Sequence, residues 1–368
     1  MKKFIYIAAL ATLVFASCAK DNKTVEVNAD KQITFTAVTG VVRNAHTKVW
    51  ENGEGLIDST AYPKGETFGS MAYYLPLGKT WEADSLESSM FIDHSEVAYD
   101  SSLNSFTTSK AYYWPVDGGS LTFFSYSPYD ELHGNVEFDR TVLNGVKINN
   151  WNAEEHPNVD VMIADVARDY TQNSQKTYMG VITQFHHKLA RISGFRVSYQ
   201  TEADSVGQTY TINEIVIKNQ YTEGSYDGSE WTAEGERKDS TILYTGNQTV
   251  TKEVVKIGDE YVVIPQGTAT DEDGNITFEV TYTVTSGDTE ITVTKEVTVN
   301  VLNEEFEEGK SYTYNIIFDL DGNEYKKDPD TGKDVLVSTN RILWSPEVTE
   351  WEEQTLPADD DKDEEGND

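Results

Sequence analysis

The chain has 368 residues and carries 29 Lys+Arg against 63 Asp+Glu, a formal net charge of −34. That excess excludes unaided binding to nucleic acid or to an anionic membrane, because both need a cationic face. Hydrophobic residues make up 38% and aromatic residues 11%, enough to bury real cores, and the length suits two domains. A single Cys cannot form an internal disulfide, and with six scattered His a structural zinc site of the usual kind is not expected.

Met1-Lys2-Lys3 is a basic start, and Phe4 to Ala16 is apolar apart from Thr12, about the length of a signal-peptide core and too short to span a bilayer. Small residues, Ala16 and Ser17, precede Cys18, as a signal peptidase requires beside its cut. The segment resembles a bacterial lipoprotein signal over residues 1–17, cleaved between Ser17 and Cys18, with Cys18 diacylated as the new first residue. Phe15 departs from the usual Leu or Val three residues before the Cys. The polar stretch to Asp30 reads as a flexible, lipid-anchored tether over 18–30. Lys20-Asp21 is similar to the signal that sends lipoproteins of Bacteroidota to the cell surface.

From residue 31 the hydrophobic period is two. Residues 31 to 40, Leu121 to Tyr126, Thr211 to Lys218 and Tyr261 to Ile264 read as strands, and no stretch past the signal segment reads as a long helix, the short Val161 to Tyr170 being the best candidate. Ile276, Phe278, Val280, Tyr282 and Val284 alternate with polar residues, and after Ser286-Gly287-Asp288 the alternation resumes from Ile291 to Val301, which makes a hairpin. Tyr312 to Leu320 repeats the pattern. Short strands with one apolar face need a second sheet to cover them, so the expected fold is all-β: two antiparallel β-sandwich domains in tandem, over residues 31–180 and 181–356. The boundary is set near Gly180, after a polar loop from Asp169 to Tyr178. The end of the chain, 357–368, is dominated by acids that repel one another, and it is expected to be a disordered tail.

Taken together, these landmarks resemble the fimbrillin-like surface lipoproteins of Bacteroidota, the pilin family of type V fimbriae. Ile33-Thr34-Phe35-Thr36-Ala37 is similar to the family's first strand, and Val42-Arg43-Asn44-Ala45 with Trp50 and Asn52-Gly53-Glu54 to its processing region. Tyr112-Tyr113-Trp114-Pro115 with Leu121 to Pro128 resembles the most recognisable stretch of the first domain. Asp160 to Ala164 with Phe185 to Ile192 resembles the midpoint. Val263 to Gln266, Gly309 to Ile316 and Val348 to Trp351 resemble the second domain. The resemblance implies a polymerising pilin, a tip or an anchor of cell-surface fimbriae. It implies assembly with other fimbrial subunits by strand exchange: a protease cuts after a basic residue, here Arg43, and the first strand leaves an edge-lined groove for another strand. A donor strand near the C-terminus needs alternating apolar residues, and after Trp351 the chain offers only Leu356 before Pro357. Three outcomes stay open: a terminal subunit, exchange through Ile342 to Trp351, or no polymerisation.

No nucleophile-elbow, phosphate-loop or His-Glu-x-x-His motif appears, so no enzymatic activity and no cofactor are expected. His186-His187 on a strand would point to opposite faces and cannot chelate one metal ion together. Asp271 to Asn275, Asp319 to Asn323 and Asp328 to Gly332 resemble calcium loops but lack the EF-hand pattern, and they read as hairpin turns. Trp81, Trp151 and Trp231 could stack on sugars or cap sandwich cores. The alternative function is therefore a surface glycan-binding lipoprotein of a polysaccharide-uptake system. Either reading places the protein at the outer membrane or cell surface, with a host or bacterial surface ligand among its partners and no nucleic acid.

Overall fold

The computed structural model describes residues 25–39, 60–141, 145–157, 159–173, 180–201, 207–268, 274–299, 302, 304–322, 324–327, 334–338 and 341–351. The chain enters through β1 (Val27–Gln32) and β2 (Phe35–Thr39). β1 pairs antiparallel with Tyr113–Pro115, Val27 is buried, and Val25 packs on the first core. The tether expected to reach Asp30 therefore ends sooner. Two apolar residues two apart find a core, and their backbone finds a partner.

The next elements are β3 (Thr60–Ala61), β4 (Phe68–Leu75), a short helix α1 (Trp81–Asp84), β5 (Ser89–Asp100), β6 (Ser105–Thr108), β7 (Tyr113–Pro115) and β8 (Ser120–Ser127). They are followed by β9 (Val136–Phe138), β10 (Val146–Asn152), β11 (Met162–Ala164), β12 (Ala167–Tyr170) and β13 (Val181–His187). A nine-stranded sheet runs β11-β13-β2-β6-β5-β4-β8-β12, with β3 beside β2, and it curls until β11 also pairs with β8. β4 and β8 are buried at every position because both faces are covered. Leu121 and Phe123 face the core inside the curl, and Phe124 and Tyr126 face a second core on the outside.

The best helix candidate of the sequence, Val161 to Tyr170, is instead the pair β11 and β12. Its apolar residues alternate between the two cores, Met162 and Ala164 inside, Val161 and Ile163 outside. Two buried faces at period two satisfy a strand, whereas a short helix would bury one stripe. Gly180, where the sequence places a boundary, precedes a strand of this same sheet, and the chain changes sheets at Lys188 and Leu189, after β13.

The remaining strands begin with β14 (Ala190–Gln200), β15 (Thr209–Lys218), β16 (Glu223–Tyr226), β17 (Trp231–Glu234), β18 (Thr241–Thr249), β19 (Val255–Ile257), β20 (Tyr261–Val263) and β21 (Gln266–Gly267). Then come β22 (Thr277–Ser286), β23 (Thr289–Thr298), β24 (Glu305–Phe306), β25 (Lys310–Asp319), β26 (Glu324–Lys327), β27 (Asp334–Ser338) and β28 (Arg341–Glu350). Sheets β19-β14-β25-β28 and β18-β15-β22-β23 share one core, with Phe278, Val280, Tyr282 and Val284 meeting Phe195, Tyr314 and Phe318. The fold is thus all-β, with the tandem sandwiches the periodicity predicts. The β16–β17 hairpin crosses back, pairing with β10 in the sheet β17-β16-β10-β9 that covers the outer core of the first half.

Candidate functional site

β2 lies in the middle of the curled sheet. Along one side it pairs in parallel with β13, from Val181 opposite Phe35 to Phe185 opposite Thr39. On the other side Phe35 meets Phe106 of β6, while Val38 and Thr39 meet β3. Alternation sends Phe35 and Ala37 inward, where the Phe35 ring sits edge-on to Phe68 at 5.8 Å and to Phe123 at 5.7 Å. Such edge-to-face contacts add to the area term of burial. The register is held at its start by Gly180, whose amide conformation (φ +86°) suits glycine and whose missing Cβ would stand 2.7 Å from the Thr34 carbonyl oxygen. The Val181 amide donates to that same oxygen at 2.7 Å.

Tyr62, just after β3, forms the floor beside β2. Its ring meets Phe68, Phe106 and Phe185 at 5.5, 5.6 and 5.1 Å. Its hydroxyl donates to the Thr67 carbonyl at 3.0 Å and lies 2.7 Å from Ser127 Oγ. Burial pushes its pKa up to about 12, against the opposing effect of the Ser127 hydrogen bond. Without β2, this aromatic box would face water, and β13 and β6 would each offer an unpaired edge. Chemically the site is a groove for one extended strand with an apolar residue at every second position. Nothing local in the sequence marks Tyr62, because its partners at 67, 106, 127 and 185 meet only in the fold.

The residues expected to be processed, Ser17, Cys18 and Arg43, lie outside the described residues, as does the tail from residue 352. Arg43 falls in the stretch between Thr39 and Thr60, the last residue of β2 and the first of β3. At the other end of the chain, β28 contains Ile342 to Glu350 of the Ile342 to Trp351 segment, and Trp351 follows it directly. The strand pairs with β25 along its whole length as the outermost strand of its sheet, with Ile342 and Trp344 packed on the core. Its last carboxylate, Glu350, is ion-paired with Lys310, and the Trp351 amide donates to the Gly309 carbonyl at 2.8 Å.

His186 and His187 do point to opposite faces. His186 Nε2 lies 3.2 Å from Asp165 and holds that carboxyl below the usual range against the effect of burial, while His187 Nδ1 lies 2.8 Å from Asp160. Next along the chain, burial disfavours the charge of Lys188, yet the Glu308 carboxylate at 2.6 Å outweighs it and raises the pKa. Trp81 and Trp151 are buried in the outer core and Trp231 packs against it, donating its indole N–H to the Lys188 carbonyl. They are core residues, not stacking platforms, because Trp81 packs on Tyr73 and Phe124, Trp151 stacks on His156 and Trp231 packs on Tyr226. The acidic turns at 271–275, 319–323 and 328–332 lie wholly or partly outside the described residues. Among the described residues no group of three or more His, Cys, Asp or Glu could hold a metal ion, and no helix is long and apolar enough to cross a membrane.

In comparisons with known proteins, no curated protein matches the chain. Among solved structures it is similar to a fimbrial protein from Bacteroides vulgatus, with 16% identity and a TM-score of 0.56 over 87% of this chain and 99% of that one. A candidate cell adhesion protein from Bacteroides uniformis matches with 19% identity and a TM-score of 0.47, covering 88% and 99%. A candidate polysaccharide-binding protein from Bacteroides thetaiotaomicron matches with 9% identity and a TM-score of 0.34, covering 85% and 98%. The family model described as fimbrillin-like matches residues 43–334. This chain belongs to the fimbrillin-like family.

Proposed function

We propose that this protein is a fimbrial or adhesive subunit of the cell surface, exported as a lipoprotein through Cys18 and assembled by strand exchange. Membership of the fimbrillin-like family supports association with other fimbrial subunits and a place at the surface. The observation that carries the exchange step is β2 itself. A five-residue strand, paired on both sides and seated in an aromatic box, is followed four residues later by Arg43. Cleavage there would cut the covalent link between β2 and β3 and leave the strand held by noncovalent contacts alone. A partner strand with the same alternation could then take its place.

The glycan-binding alternative loses its proposed platforms, since Trp81, Trp151 and Trp231 are committed to the outer core. The test is limited trypsin digestion followed by native mass spectrometry. Arg43 should be cut before other basic sites, and the clipped protein should release residues up to 43 or take up an added β2-like peptide. A clipped chain that keeps its first strand and its stability, and binds no peptide, would sink the exchange reading.

A further inference from the structure

The two most exposed large apolar side chains among the described residues, Leu77 at 75% and Leu86 at 71%, sit on one segment at one end of the first half, around α1. Val116, 40% exposed, lies at the same end, because Leu77 packs beside Gly118 and Leu75 pairs with Ser120. This tip is built, not loose. The Trp81 amide donates to Asp169 at 2.9 Å, Lys79 is ion-paired with Asp84 at 2.7 Å and Glu87 at 3.2 Å, and Arg140 donates to the Ser88 carbonyl at 2.9 Å.

The tip also marks where the N-terminal segment enters. The Val116 amide donates to the Glu26 carbonyl at 3.0 Å, and Val27 pairs with Pro115. Cys18 is eight residues before Glu26, so an anchor there reaches at most about 28 Å from the tip. A domain of this size is roughly 40 Å across, so an orientation with the far end down and the tip uppermost is beyond the anchor's reach. The far end is also taken. β8 starts at the tip with Ser120 and ends at Ser127, which meets Met162, whose other partner is His187, and after Lys188 and Leu189 the chain enters the second half at β14.

We propose that this tip is a membrane seat: in the anchored protein Leu77, Leu86 and Val116 enter the interfacial layer of the lipid bilayer, and the second half stands away from it. The proposal rests on the Cys18 anchor. Three apolar side chains without a groove are too few to hold a protein partner, but the anchor supplies the affinity and the side chains need only set orientation. Lys79 is neutralised by two carboxylates and Arg140 is held by the Ser88 carbonyl over the Tyr73 ring, so the tip presents no cluster of free cations, and a zwitterionic surface suits it better than an anionic one.

The test uses the full lipidated chain in phosphatidylcholine vesicles that contain a nitroxide-labelled lipid. Because Cys18 would carry the lipid, Val116→Cys supplies a single thiol for a fluorophore, and Val254→Cys, a 62% exposed position in the second half, supplies the reference. Fluorescence should be lost at position 116 and kept at 254, and Leu77→Ser with Leu86→Ser should restore it at 116. Equal quenching at the two positions would overturn the seat. A second protein, Cys18→Ala with an N-terminal histidine tag on nickel-chelating lipid, separates the two ideas. If the untagged native chain fails to join vesicles while the tagged one is quenched at 116, the anchor falls and the seat stands. If the tagged one is not quenched, the seat falls. A signal at 116 that follows protein concentration without vesicles would mean that a second copy covers the tip, which also overturns the proposal.

Discussion

The Trp351 indole lies parallel to the His187 imidazole, with ring centres 4.5 Å apart and planes within 1°. The Arg191 guanidinium lies over the same indole at 4.9 Å. Trp351, the residue just past the C-terminal strand, is thereby clamped onto the end of β13 and the start of β14, where the two halves of the molecule join. The contact ties the candidate exchange segment to the strand that flanks β2.

Trp351→Ala should loosen the end of β28 by about 1–3 kcal/mol, since a half-buried ring, its stacking and its cation–π contact are lost together. Hydrogen exchange should report this as faster exchange for amides of Val348 to Glu350, with β25 at Ile316 unchanged. Uniform exchange across β28 before and after the change would show that the clamp contributes nothing.

Gly180→Ala should destabilise the first half by about 1–3 kcal/mol, because a positive φ and a Cβ against the Thr34 carbonyl both strain the β2–β13 start. Gly65→Ala, at a position with nothing within 4 Å, should be neutral. Urea unfolding of both variants is the measurement, and equal midpoints would contradict the register argument.

Alkaline stability should depend on Tyr62. Its pKa rises from 10.0 to about 12 through burial, and burial raises Tyr312 to about 12 as well. Between those values the folded ring keeps a proton that the unfolded chain has lost, so the contribution is whole below pH 10 and drains away as pH climbs toward 12. Tyr62→Phe should flatten the fall between pH 10 and 12. It should also cost about 1 kcal/mol at neutral pH through the lost hydrogen bonds to Thr67 and Ser127.

Lys295 stands on the core side of β23, opposite Val280, on the outermost strand of its sheet. An inward-facing cation on such a strand opposes pairing with another edge. Lys295→Val should therefore raise self-association in sedimentation velocity while leaving the melting temperature near that of the parent. A monomer at every concentration tested would show that the edge is protected by something else.

The sandwich of the second half was legible because its sheets have one wet face: β22 alternates Phe278, Val280, Tyr282 and Val284 with Thr and Glu, and the period of two is visible in a single strand. The opposite orientations of His186 and His187 followed from the same period. The first half was harder to read, because β4, β8 and β11 are covered on both faces, so apolar residues run on continuously and Val161 to Tyr170 passes for a helix. Only the tertiary structure decided that Val27 is paired rather than part of a tether, that β13 stays with the first sheet, and that the β16–β17 hairpin crosses back to cover the outer core. It also decided the fate of Trp81, Trp151 and Trp231. A lone tryptophan among polar residues carries no local sign of whether it meets water or a sheet, since that depends on which distant strands the chain brings beneath it.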